Sequence, residues 1–249
     1  MIAPRHLKNA PIKEALIDIQ VTLSEDTRVE KLDSKYNSFS NSYPKKEMIQ
    51  KGRLGFQFDE GQPIRATVDQ NFVGYKYTSQ DDKQIVQFRK DGFTFSRLEP
   101  YHTWEEMKED AIILWKSYMD VASPTEITRV ATRYINVLQI PLDMLTEFKD
   151  FLTAPPQIPE QLPQEIGSFL TRVVIYEPTI GANCILTQAL EPIDTDKEYA
   201  PIVLDIDVFM KCTFNIESGD YWEALDRLRD FKNQVFFESI TEKAAGLFQ

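Results

Sequence analysis

Histidine, cysteine and glycine are scarce in this 249-residue chain, with two, two and nine copies. His6 and His102 are too few for a multi-histidine metal site, and they nearly exclude histidine-based catalysis. Cys184 and Cys212 stand far apart, match no metal-ligand spacing and sit in apolar strand-like runs, the pattern of buried free thiols in a reducing compartment. No Gly-rich phosphate loop, Gly-x-Ser-x-Gly elbow, His-Glu-x-x-His or deaminase pattern occurs, and no cofactor is expected. Cations are in the minority: 28 Lys and Arg face 39 Asp and Glu, a formal net charge of -11. A protein that lives on nucleic acid needs a basic face, so nucleic-acid partners are not expected. No apolar run is long enough to span a bilayer, and the first residues lack the apolar stretch of a signal peptide. The sequence reads as a cytoplasmic protein without a membrane partner.

With 42% hydrophobic and 27% charged residues, the chain has the balance of a soluble globular protein and is long enough to bury a sizeable core. Its most strongly patterned stretch runs from Phe93 to Tyr134. A strand over Phe93–Leu98 leads to Thr103, whose hydroxyl, with Glu106 three residues on, has capping-box spacing. Trp104, Met107, Ala111, Leu114, Trp115 and Tyr118 then recur at steps of three and four, one face of a helix that Pro124 stops near Ala122. Two tryptophans on an apolar helical face are read as core rather than as a stacking platform.

Before this stretch, Ala15, Ile17, Ile19, Val21 and Leu23 alternate with polar residues, the signature of a strand with one buried face. Val29, Leu32, Tyr36, Phe39 and Tyr43 predict an amphipathic helix ended by Pro44. Strands are expected over Met48–Phe58, Ile64–Thr78 and Gln84–Leu98, with Gly92 marking either a turn or a bulge in the last. After it come a strand over Thr128–Ile140, a short helix over Leu142–Leu152, and a connector with Pro155, Pro156, Pro159 and Pro163. Strands over Phe169–Glu177, Asn183–Leu190 and Ile202–Phe214 follow. A last helix starts at Asp220, where Asp220 and Glu223 again have cap spacing, with Ala224, Leu228, Phe231 and Val235 as its stripe.

Strand, helix, three strands, helix thus occurs twice, over 1–124 and 125–249, joined into one compact unit. Leu98-Glu99 and Trp104-Glu105 recur as Ile216-Glu217 and Trp222-Glu223 at the same separation. The predicted fold class is α+β, with a predominantly antiparallel curved sheet and helices packed on one face. The expected core includes Ile17, Ile19, Leu32, Tyr36, Trp104, Met107, Leu114, Trp222, Leu225 and Leu228.

Asp205 and Asp207 lie two apart on a strand, on one face, and could share a hard cation. The plainer expectation is that they join Arg89, Arg97, Arg129, Arg133 and Asp18 in a mixed-charge sheet face. Arg97 ends a strand, Tyr101 precedes the capped helix, and Arg133 and Asn136 belong to the strand after it. Together they make a candidate anion site beside a helix N-terminus. Paired with Asp205, Asp207 or Glu99, the two arginines would instead stitch the sheet.

The runs Pro11–Ala15, Phe95–Tyr101 with Trp104, Arg129 with Arg133-Tyr-Ile-Asn136, and Phe237–Thr241 together resemble a sporadically distributed family of bacterial proteins of unknown function. The match follows the right order over nearly the whole chain, and the Pro-Tyr-x-x-Trp and Arg-Tyr-Ile-Asn elements are fairly specific. The resemblance implies no catalytic residue. Patchy distribution is compatible with mobile elements or defence-linked loci. Two classes of function stay open. The favoured one is a non-enzymatic binding or assembly module acting on a protein partner or as a homo-oligomer. The alternative is a small-molecule enzyme or sensor with an arginine-lined pocket for an anionic ligand.

Overall fold

A computed structural model describes residues 7–24, 26–57, 65–190 and 198–249; His6 and the predicted strand ends Phe58 and Ile64 lie outside them. Nine strands form one open antiparallel sheet: β1 (Ile12–Thr22), β2 (Lys45–Gln57), β3 (Arg65–Thr78), β4 (Gln84–Arg89), β5 (Gly92–Leu98), β6 (Glu126–Pro141), β7 (Phe169–Glu177), β8 (Ala182–Leu190) and β9 (Tyr199–Met210). Their spatial order is β2-β3-β4-β5-β1-β6-β9-β8-β7. The two long strands β1 and β6 therefore pair at the centre, and each connects outward to an edge from which a meander returns. Among the described residues three α-helices accompany the sheet: α1 (Trp104–Ala122), α2 (Asp220–Ser239) and α3 (Glu242–Gly246). The fold class is α+β, as expected, and no described helix is long and apolar enough to cross a membrane.

The period-2 pattern of each strand sets the layers. Ala15, Ile17 and Ile19 of β1 are fully buried, as are Phe93 and Phe95 of β5 and Leu204, Ile206 and Val208 of β9, and this face carries the helices. α1 starts where its cap predicts, with Thr103 Oγ1 accepting from the Glu106 amide at 3.2 Å, and ends at Ala122 with Ser123 in the left-handed region. Met107, Ala111, Trp115 and Tyr118 line its buried stripe, and each large side chain of this kind contributes roughly 1.5–3 kcal/mol by leaving water. The two long helices lie side by side. Trp115 Nε1 donates to the Tyr221 hydroxyl at 3.0 Å, and Asp226 accepts from Trp104 Nε1 at 2.8 Å and from Lys108 Nζ at 2.7 Å.

Four local expectations need correction. The helix over Val29–Tyr43 is instead two short 3-10 turns, Val29–Asp33 and Tyr36–Ser38, with no side-chain cap. Its aromatic residues are spent on the sheet: Tyr36 stacks on Tyr77 at 5.2 Å and Phe39 meets Tyr77 and Phe88 edge-on or tilted. Meanwhile Ser38 and Ser40 hydroxyls donate to nearby carbonyls that a helix would use. The helix over Leu142–Leu152 reduces to a turn and the 3-10 segment Phe148–Asp150. The expected strand over Gln84–Leu98 is two strands, so Gly92 follows a turn. A Cβ there would lie 2.3 Å from the Ile19 carbonyl oxygen, which leaves room only for glycine. In α2, the cap position is Gly219 rather than Asp220.

Eight of the ten expected core residues are buried. Tyr36 and Trp222 only pack against the core from its border, and in α2 Tyr221 takes the inner position expected of Trp222. Cys184 is buried, its thiol pushed up to about 12 by desolvation, whereas Cys212 is exposed, against expectation.

Candidate functional site

Two polar regions stand out, one on each face of the sheet. On the face without helices, Asp18 accepts from Arg89 Nη2 and Thr94 Oγ1, both at 2.8 Å, and from Arg129 Nη1 at 3.0 Å. Arg129 continues to Asp207 at 3.4 Å with its guanidinium 4.5 Å above the Phe209 ring. Arg133 grips Asp205 through Nε at 2.8 Å and Nη2 at 2.5 Å. Burial lifts the Asp207 carboxyl above its ordinary range even though Arg129 and Arg133 pull it down. Asp205 and Asp207 are thus occupied by guanidiniums, and among the described residues no cluster of three metal-ligating side chains forms. Arg133 stitches β6 to β9. The expected mixed-charge face exists with one exception: Arg97 lies opposite buried Ala15 and so points to the helix side, where it pairs with Glu106 at 3.3 Å and with Asp110. The four candidates therefore do not converge, because Arg97 and Arg133 occupy opposite faces.

Tyr101 and Asn136 do come together. Both line a cavity of about 540 Å³ on the helix face, between the segment before β1, the start of α1 and the inner side of α2. Even parity along β6 puts Tyr134 and Asn136 on this face, while Arg133, one position before Tyr134, is forced to the other. Asn136 is 2% exposed and ties its amide to the carbonyls of Tyr134 and Leu204, at 3.3 and 2.9 Å. The Tyr101 and Tyr134 hydroxyls lie 3.0 Å apart. Burial raises both, Tyr101 to about 12 and Tyr134 well above its ordinary value, so both remain phenols at neutral pH.

The rest of the site comes from α2. Arg229, Lys232, Asn233 and Phe236 fall at i, i+3, i+4 and i+7, one face of the helix, and all line the cavity. Lys232 is 7% exposed; its ammonium sits 3.6 Å from the Tyr134 ring centroid and donates to Asn233 Oδ1 at 2.6 Å. Desolvation, reinforced by the nearby Arg229 charge, pushes its pKa down to about 7. Arg229 reaches Asp230 at 3.1 Å and Glu105 at 3.7 Å, while its Nε is buried without a hydrogen-bond partner. Lys8 and the first turn of α1, Thr103 to Glu105, complete the rim. Three cationic side chains and one carboxylate, Glu105, thus line the cavity, with Asp230 pairing Arg229 from outside the lining, in a chain that is strongly acidic overall.

The α2 residues were not singled out from sequence, yet a signal was present. The apolar stripe through Leu225, Leu228 and Val235 passes over position 232, where a lysine interrupts it. An ionisable residue on the buried stripe of an amphipathic helix is a site candidate in itself. Compared with known proteins, the chain matches no family model and no curated protein.

Proposed function

We propose that the protein binds an anionic small molecule in the cavity between α1, α2 and β1, acting as a ligand sensor or a small-molecule enzyme. The observation that carries this reading is the local reversal of charge: Lys8, Arg229 and Lys232 converge on one cavity beside the first turn of α1. A helix start adds unpaired N–H groups and the positive end of the dipole, and α1 is 19 residues long. The volume lies within the range of ligand pockets, about 300–1,000 Å³, and aromatic walls with a few fixed polar groups are their usual composition. The site is the candidate anion site foreseen near Tyr101 and a helix start, with Arg229 in place of Arg97 and Arg133. A thermal-shift panel of pyruvate, lactate, citrate, inorganic phosphate and AMP tests it. Stabilisation by at least one anion in the wild-type protein, lost in Arg229→Gln, supports the reading. No shift with any of them refutes it.

A second reading, assembly with another copy of the chain, is favoured by β7. This edge strand exposes Leu170, Val173, Val174 and Tyr176, each more than half accessible. The opposite edge, β2, carries Lys45, Lys46 and Lys51 in ion pairs with Asp82, Asp33 and Asp91, the ordinary protection of a sheet edge. Antiparallel pairing of β7 about Val173 sets Leu170 of one copy opposite Tyr176 of the other, and Arg172 opposite Val174, so no like charges meet. Light scattering on the wild-type protein and Val174→Lys tests this: a dimer that dissociates on substitution supports it, and a wild-type monomer at high concentration rejects it.

A further inference from the structure

We propose that Lys232 is a covalent carbonyl-binding residue, its amine condensing with the oxo group of a small oxo acid whose carboxylate is held by Arg229 and the first turn of α1. The proposal rests on the anion-cavity reading above and narrows its ligand to acids that also carry an aldehyde or ketone.

Lys232 is nearly buried, and among the described residues no carboxylate lies within ion-pairing distance of its Nζ. A buried lysine that serves only stability is paired, because an uncompensated ammonium is costly to desolvate. This one has the amide oxygen of Asn233, which accepts from an amine or an ammonium, and the face of Tyr134, but no ionic partner among the described residues. Arg229 lies one turn away on the same helix face and bears on the same cavity. A desolvated lysine beside a second cation is the usual arrangement of an activated amine, and burial holds Lys232 near neutrality, so a substantial share of it is unprotonated at physiological pH.

The separation of tasks follows from the spacing. A carboxylate takes the guanidinium, whose Nε is an unpartnered buried donor, and the α1 N-terminus. The adjacent oxo carbon is then presented to Nζ. The nitrogen lone pair forms the C–N bond while the carbonyl π pair moves to oxygen, which gains a proton. The hydroxyl of the resulting carbinolamine then leaves as water, so both amine hydrogens depart with the carbonyl oxygen and an imine remains. Tyr101 and Tyr134, still protonated and hydrogen-bonded to each other, line the same cavity as proton donors for that oxygen.

Reductive trapping tests this. The full chain is incubated separately with pyruvate, glyoxylate and 2-oxoglutarate and treated with sodium cyanoborohydride, whose hydride converts an imine into a stable secondary amine. Intact mass and peptide mapping follow. The expected result is a single adduct with at least one of the acids, on the peptide containing Lys232, and none in Lys232→Arg. That variant removes the amine while keeping a cation, and its melting curve without ligand shows that it is folded. No adduct with any of the three, or labelling spread over surface lysines equally in Lys232→Arg, overturns the proposal. If lactate and pyruvate stabilise the wild-type protein through Arg229 but no adduct forms, covalent capture falls and the anion cavity stands. If no anion stabilises the protein, the reading on which the proposal rests falls, and the proposal with it.

Discussion

Replacing Lys232 by methionine should make the protein more stable at neutral pH and should remove a specific pH dependence. The ammonium lies in a desolvated position, with a pKa moved from 10.5 down to about 7. Because the folded state binds fewer protons at this site than the unfolded state between those values, stability rises with pH across that window. The slope approaches about 1.4 kcal/mol per pH unit, and integration from about pH 7 to about pH 8.5 gives a rise of roughly 1.5 kcal/mol from this residue. Staying below about pH 9 keeps tyrosine ionisation out of the window, and the two cysteines are common to both proteins. Methionine fills nearly the same volume, has no charge to desolvate and still contacts the Tyr134 ring. Urea unfolding of both proteins at several pH values gives the comparison, and the difference between the curves cancels every other titrating group. The wild-type curve should climb towards that of Lys232→Met. Two parallel curves would show that Lys232 keeps its proton in the fold, and the argument for an activated amine would be lost.

Asp18→Asn removes the charge that Arg89 and Arg129 share, and all three side chains are only 13% exposed. Leaving two guanidiniums without it should cost about 3–5 kcal/mol in urea unfolding, and a loss below about 1 kcal/mol would show that water screens the network. Gly92→Ala forces a Cβ against the Ile19 carbonyl, so its midpoint should fall by the equivalent of more than about 2 kcal/mol, and a neutral result would contradict the close approach of β5 to β1. Thr103→Ala deletes the α1 cap and should cost about 1 kcal/mol, whereas Thr103→Ser should cost much less.

Legibility from sequence followed how local each determinant is. The start and stop of α1 rest on Thr103, Glu106 and Pro124, in the helix or within two residues of it, and they were readable. The sheet face depended on one undecided point. Arg89 and Arg97 are eight residues apart and would share a face on a continuous strand, but the turn at Lys90 and Asp91 sets Arg89 opposite Gly92 and shifts the parity by one. Arg97 therefore lands on the helix side. The segment from Val29 to Tyr43 had helical spacing, but its aromatic residues found better partners on Tyr77 and Phe88 than a helix could offer, a tertiary choice that no local pattern records. Half of the site was visible because Tyr101 and Asn136 flank α1 in sequence. Arg229 and Lys232 are about a hundred residues further on, and only the packing of α2 beside α1 brings them to the same cavity.

Calorimetric titration of pyruvate and inorganic phosphate into the wild-type protein, Arg229→Gln and Arg133→Met separates the two faces directly. The cavity account predicts one site per chain for at least one of the two anions, weakened at least about tenfold, or about 1.4 kcal/mol, by Arg229→Gln and unchanged by Arg133→Met. Equal affinity in Arg229→Gln, or binding lost in Arg133→Met, would move the anion to the opposite face of the sheet and contradict the account.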